Sequence, residues 1–186
     1  MEDKSMKNEF TYNIKALYKE RYKLVVILNL IAIVIALFLG YNKLQPTEEE
    51  KVFIFMSGSL NLNLEITEEL TDICSNFGMK EFLAMGYDEN DVYFNQSVST
   101  KGYYGSDLFL FSYEVAESFK GMELYAPLDS DYLDLSEDYF YEEDNPVGLK
   151  INENYYVFVA AKCEKDRELI YELLKYIVSK GGEIGE

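Results

Sequence analysis

KVFIFMSG, residues Lys51–Gly58, is a run of apolar and β-favouring residues closed by Ser-Gly. That is the pattern of a strand buried on both faces and stopped by a turn, so it reads as a central strand around which the fold is built. Downstream, Leu64, Leu70, Ile73 and Phe77 fall at helical spacings, with acids near the start and Gly78 just past the end, which predicts a helix over 65–77. KEFLAMGY (Lys80–Tyr87) reads as a second strand, Asp88–Gly105 as a polar loop, SDLFLFS (Ser106–Ser112) as a third strand and EVAESFK (Glu114–Lys120) as a short helix. ENYYVFVAA (Glu153–Ala161) returns as a strand, and Asp166–Ser179 places Leu169, Leu173, Tyr176 and Ile177 on one face of a final helix. The rhythm predicts an α/β fold, an open, mostly parallel sheet flanked by helices, with binding sites beyond the strand carboxyl ends. Between the halves, residues 124–151 are rich in acids and Tyr, show little periodicity and read as a surface loop with helical turns.

Upstream of this domain, residues 41–50 are polar, contain Pro46 and read as a spacer. Before them, LVVILNLIAIVIALFLG, Leu24–Gly40, carries no charge. With Tyr22 and Tyr41 it makes a helix of about 30 Å, the thickness of a bilayer core. Tyr18, Tyr22 and Tyr41 stand where interfacial aromatics belong, and Lys15, Lys19, Arg21 and Lys23 crowd the N-terminal flank. The positive-inside bias therefore predicts a single-pass membrane protein: residues 1–23 cytoplasmic, 24–40 transmembrane and 51–186 an extracytoplasmic domain. A cleaved signal is the rival reading; the lack of an A-x-A-like small pair near Phe38–Gly40 and the length of the apolar run favour an uncleaved anchor.

The formal charge of -17 is unevenly spread. Residues 1–23 hold six Lys/Arg against four Asp/Glu, a net +2, whereas residues 41–186 hold eleven against thirty, a net -19. Such a surface repels phosphate backbones, so nucleic acid is excluded as a partner. There is no His, which removes the commonest general base and the Ser-His and Cys-His pairings. Cys74 and Cys163 lack metal-site spacing and stand open between a disulfide and two buried thiols. No enzyme activity, cofactor or metal is expected.

Two segments carry a resemblance. SDLFLFSYEVAESFKGMELYAPLD resembles, at Asp107, Leu108, Phe109, Leu124, Pro127, Leu128 and Asp129, the "DLF" strand, helix and "L-x-PLD" segment of extracellular solute-binding proteins of ABC importers, of the type related to maltose-binding protein. NENYYVFVAAKCEKDRELIYELLKYIV is similar to that family's returning strand, polar turn and helix. Members run to roughly twice this length and close two lobes on a ligand, so the resemblance implies one lobe only.

By that resemblance, ligand contacts would come from loops after the strands: Ser57, Gly58 and Ser59 after the first, Ser112 and Tyr113 after the third. The alternative is that these form turns and caps. Acids Asp129, Asp131, Asp134, Glu137, Asp138, Glu142, Glu143 and Asp144 lack EF-hand spacing and read as a solvated loop. Tyr132, Tyr139, Phe140 and Tyr141 among them are candidates for docking a protein partner such as a transporter permease, or for packing onto the sheet. Glu114 and Glu117 have helical spacing common on solvated faces. The function expected is a non-enzymatic binding or interaction module, small-molecule ligand undecided; the alternative is an accessory subunit of a membrane complex.

Overall fold

The computed structural model describes the backbone of residues 2–58, 60, 62–136 and 138–184, and side chains from Glu20 onward except those of residues 42 and 44. Two compact units, Met1–Gln45 and Pro46–Glu186, are each described by themselves. The first is helix α1, Glu2–Leu44. Its stretch Glu20–Tyr41, of hydropathy 2.8, is long and apolar enough to cross a membrane, a property that an anchor and a signal sequence share. Asn29, the polar residue within it, donates from Nδ2 to the Val25 carbonyl at 2.9 Å, so its amide is bonded within its own helix.

The second unit is a mixed α/β fold around an open six-stranded sheet of order β2-β1-β3-β6-β5-β4. The strands are β1 Lys51–Ser57, β2 Glu81–Tyr87, β3 Leu108–Ser112, β4 Tyr139–Glu142, β5 Asn145–Lys150 and β6 Tyr155–Val159. β1 runs parallel to both β2 and β3. The pairings β3–β6, β6–β5 and β5–β4 are antiparallel, so the sheet is parallel at one end only and not mostly parallel as the rhythm predicts. Chain length accounts for the β4–β5 and β5–β6 pairings. A parallel neighbour needs a crossover of about a dozen residues, and an antiparallel one only a tight turn. The turns Glu143–Asp144 and Ile151–Asn154 leave no room for a crossover.

The three central strands alternate two kinds of apolar residue. Val52, Ile54 and Met56 of β1, Leu108 and Leu110 of β3, and Val157 and Val159 of β6 enter one aliphatic core. Phe55, Phe109, Phe111 and Phe158 enter a second, aromatic core. Because side chains alternate across a strand, the two cores lie on opposite faces. Two amphipathic helices cover the aliphatic face: α2 Leu64–Asn76 through Ile66, Leu70 and Cys74, and α6 Arg167–Ser179 through Leu169, Ile170, Leu173, Leu174 and Ile177. Asn63 caps α2 by accepting from Ile66 N at 2.9 Å, and Asp166 caps α6 by accepting from Glu168 N at 2.8 Å.

Shorter pieces cover the aromatic face. The stretch read as a polar loop is partly helical: α3 Phe94–Ser97, a π turn Val98–Gly102 and α4 Tyr103–Gly105. Phe94 and Val98 enter the aromatic core. At Gly102 a Cβ would lie 3.1 Å from the Phe109 ring, so glycine allows this close approach. Helix α5, Tyr113–Ser118, adds Val115 and Ala116, followed by Phe119, Leu124 and Tyr125.

Phe158 sits in the middle of the aromatic layer, stacked on Tyr125 at 4.3 Å and edge-on to Phe140 at 5.3 Å. Gly148 of β5 lies beneath it, where a Cβ would overlap Phe158 Cε1 and come within 2.7 Å of Cδ1. With the ring held by its neighbours, Gly148→Ala is expected to cost about 1–3 kcal/mol by overpacking. Urea unfolding of the full chain in detergent, followed by near-UV circular dichroism, checks this; an unchanged midpoint means that the aromatic layer has slack.

Candidate functional site

The connection from β1 to β2 runs through α2 on the aliphatic face, and that from β2 to β3 through α3 and α4 on the aromatic face. The chain leaves β1 into α2 on the aliphatic face and leaves β3 into α5 on the aromatic face, so the carboxyl ends of these neighbouring strands form a switch point, the β1/β3 crevice of the topology. In open α/β sheets this switch point is where ligands gather.

The residues at the crevice are tied into its walls. Ser57 ends β1, is fully buried, and its Oγ accepts from Ser112 N at 3.0 Å. Gly58 follows with φ +73, and its N–H donates to the Tyr87 carbonyl at 2.8 Å. This left-handed conformation favours glycine. Ser112 ends β3 and caps α5 by accepting from Val115 N at 3.3 Å, while its hydroxyl donates to Glu89 Oε2 at 3.3 Å. Tyr113 N donates to the Asn154 carbonyl at 3.0 Å, and its ring is exposed. A Cβ on Gly58 would point at Glu89 Oε2, 3.6 Å away, and Tyr155 Oη, 4.0 Å away. A carboxylate and a phenol thus stand at van der Waals distance from this position.

Of the five residues expected to contact a ligand, Ser57, Gly58, Ser112 and Tyr113 therefore converge at one place, and Ser59 lies outside the described residues. Ser57 and Ser112 also carry out the turn and cap roles that were the alternative. Sequence reasoning missed Glu89 and Tyr155. Glu89 follows β2 and obeys the same strand-end rule, so it was findable. Tyr155 is opposite Ser112 in the antiparallel pairing of β3 with β6. It begins its strand, so a rule that searches after strands passes over it.

Three of the four aromatics considered for a partner pack into the cores. Tyr132 is buried and stacked on Tyr171 at 6.3 Å. Phe140 is buried between Tyr113, Tyr125, Tyr156 and Phe158. Tyr139 is half-buried and donates to the carbonyls of Leu133 and Ser136, and Tyr141 is exposed. Several nearby acids are in ion pairs: Asp129 and Asp131 with Arg167 at 3.2 and 3.1 Å, Asp138 with Lys150 at 2.9 Å. A shallow groove of about 640 Å³ is lined by Phe77, Tyr132, Arg167 and Tyr171 among others and shares no residue with the crevice. Its guanidinium is already paired, so the crevice is the better candidate.

At the opposite end of β3, Asp107 is buried. Its Oδ2 accepts from Phe53 N at 2.9 Å, its carbonyl accepts from Ala160 N at 3.0 Å, and Cys163 Sγ lies 3.7 Å from Oδ1. Burial raises the carboxyl above its ordinary range, against the lowering effects of the Phe53 N–H and Lys165. Burial also pushes the Cys74 and Cys163 thiols up to about 12. Both are free and stay protonated at neutral pH, which makes them poor nucleophiles. Glu117 is paired with Lys120.

Compared with known proteins, the chain matches no family model and no curated protein. Asp107, in the segment from which the resemblance to solute-binding proteins was expected, is an internal brace between β1, β3 and the turn after β6.

A carboxyl raised on folding binds protons more tightly in the native state, so stability falls as pH rises through the folded pKa and is regained on acidification. Asp107→Asn keeps the shape and an acceptor without the buried charge. The variant is expected to be the more stable at pH 7, with the gap closing toward pH 4 in urea titrations across that range. A gap independent of pH would show that the Asp107 charge costs nothing.

Proposed function

We propose that this is a single-pass membrane protein, N-terminus cytoplasmic, whose extracytoplasmic α/β lobe is a non-enzymatic binding module taking a small ligand at the β1/β3 crevice. The single observation that carries the reading is the convergence of Gly58, Glu89, Ser112 and Tyr155 at the switch point of the sheet. Glu89 supplies the only formal charge among those four and, with the two hydroxyls, favours a ligand rich in hydrogen-bond donors, such as a sugar or an amine. The resemblance to one lobe of a solute-binding protein supports the same site. The accessory-subunit reading rests on the acidic, Tyr-rich stretch Tyr125–Val147, of whose candidate aromatics Tyr132 and Phe140 are buried, Tyr139 is half-buried and Tyr141 is exposed.

A ligand that binds only the native state raises its unfolding free energy by RT ln(1 + [L]/Kd), about 2.7 kcal/mol at a hundred times Kd. Thermal unfolding of the full chain in detergent against a panel of sugars and amines is expected to show an upward shift that Glu89→Gln and Ser112→Ala abolish. Absence of a shift across the panel would sink the ligand-binding reading.

Topology is checked separately. In intact cells, external protease is expected to remove the C-terminal domain while an epitope at the N-terminus survives, and alkaline washing should leave the chain in the membrane. Release of the domain by the wash would point to a cleaved signal.

A further inference from the structure

The two edges of the sheet differ in how they are protected. Strand β4 is four residues long, shifts register between Phe140 and Tyr141 and ends on an acid, Glu142. Shortness, irregularity and charge are the usual devices against edge-to-edge pairing. Strand β2, at the other edge, is seven residues long and keeps an unbroken register with β1. From Phe82 to Tyr87 it carries no charge and no proline. Phe82 and Ala84 pack toward the aliphatic core, Tyr87 stacks on Phe55 at 4.2 Å, and Met85 is 44% exposed. Among the described residues no other strand pairs with its outer side. On a domain whose residues 41–186 carry -19, six uncharged residues along a free edge are the exception.

Strand β2 is also self-complementary in one register. If two copies pair antiparallel about a twofold axis at Ala84, residue i lies opposite residue 168 − i of the other copy. Lys80 then faces Asp88 at both ends, Leu83 faces Met85 and Phe82 faces Gly86. Moving the axis one residue toward the C-terminus, to Met85, sets Glu81 against Glu89, two like charges. Opposite charges directly across an antiparallel pair are favourable and like charges are not. Lys80 is 61% exposed at its side chain and already holds Glu50, leaving other N–H donors for a second carboxylate.

We infer that the outer edge of β2 pairs antiparallel with β2 of a second copy about Ala84, joining two sheets into one and making the chain a homodimer. The interface is isologous, so it closes at two copies. Repulsion between the two acidic domains opposes it, but charges more than a Debye length apart, about 8 Å at physiological salt, are largely screened.

Oxidative cross-linking of the full chain in its membrane tests the register. Two Ala84→Cys residues across the twofold would have Cα atoms about 4.5–5.5 Å apart, within disulfide range. Ala84→Cys is expected to give a covalent dimer, whereas Val92→Cys, at a position 88% exposed outside the strand, and the unsubstituted chain give little. In the Ala84→Cys background, Lys80→Glu and Asp88→Lys are each expected to cut the yield several-fold, and combining them is expected to restore it. Equal cross-linking at positions 84 and 92, or a charge swap without recovery, overturns the inference. Near-UV circular dichroism identifies a variant that has lost its fold, and the Asp88→Lys arm leaves the Lys80–Glu50 pair intact.

Discussion

Burial of the central strands on both faces is the constraint from which the rest of the α/β domain follows. Ile54, Leu108 and Val157 on one side, and Phe55, Phe109 and Phe158 on the other, are all fully withdrawn from water. A sheet like this is stable only with a layer on each face. The chain meets the requirement by sending the first connection over the aliphatic face and the second over the aromatic one. The switch point at the carboxyl ends of β1 and β3 follows from the exits into α2 and α5 lying on opposite faces.

The aliphatic side was legible in the sequence, because α2 and α6 show a 3.6-residue period, side-chain caps and Gly78 or Gly181 beyond their ends. The aromatic side was not. Between Phe94 and Gly105 the residues facing the core are few, and Ser99 and Thr100 turn their hydroxyls back onto carbonyls four residues earlier. A helix with so narrow an apolar stripe reads as a polar loop. The β4–β5 hairpin was hidden for another reason. Its turn uses Glu143 at φ 54 where Gly or Asn usually stands, and the surrounding acids mask the alternation of the strands. The parallel end of the sheet was therefore expected and the antiparallel end was not.

The same division applies to the site. Ser57, Gly58, Ser112 and Tyr113 are strand-end residues, visible once β1 and β3 are recognised. Tyr155 requires knowing that β6 runs against β3, which the local sequence does not encode. Asp107 illustrates the opposite case. It is the most recognisable polar residue of the DLF segment, yet its bonds to Phe53 and Ala160 make it a brace at the end of the sheet remote from the crevice.

On the proposed reading the domain would contact its ligand from one side. Two-lobed binders exclude water by closing over the ligand, whereas a ligand in the β1/β3 crevice keeps part of its hydration and gains less from Glu89, Ser112 and Tyr155. Weak intrinsic affinity is the expected consequence. For a freely diffusing carrier that would be disabling, but tethering to a membrane changes the arithmetic, because an anchored domain meets partners and ligands in that membrane at high effective concentration. The proposed one-sided site and the proposed anchor are thus mutually consistent, since an anchor would make a weak, reversible contact sufficient.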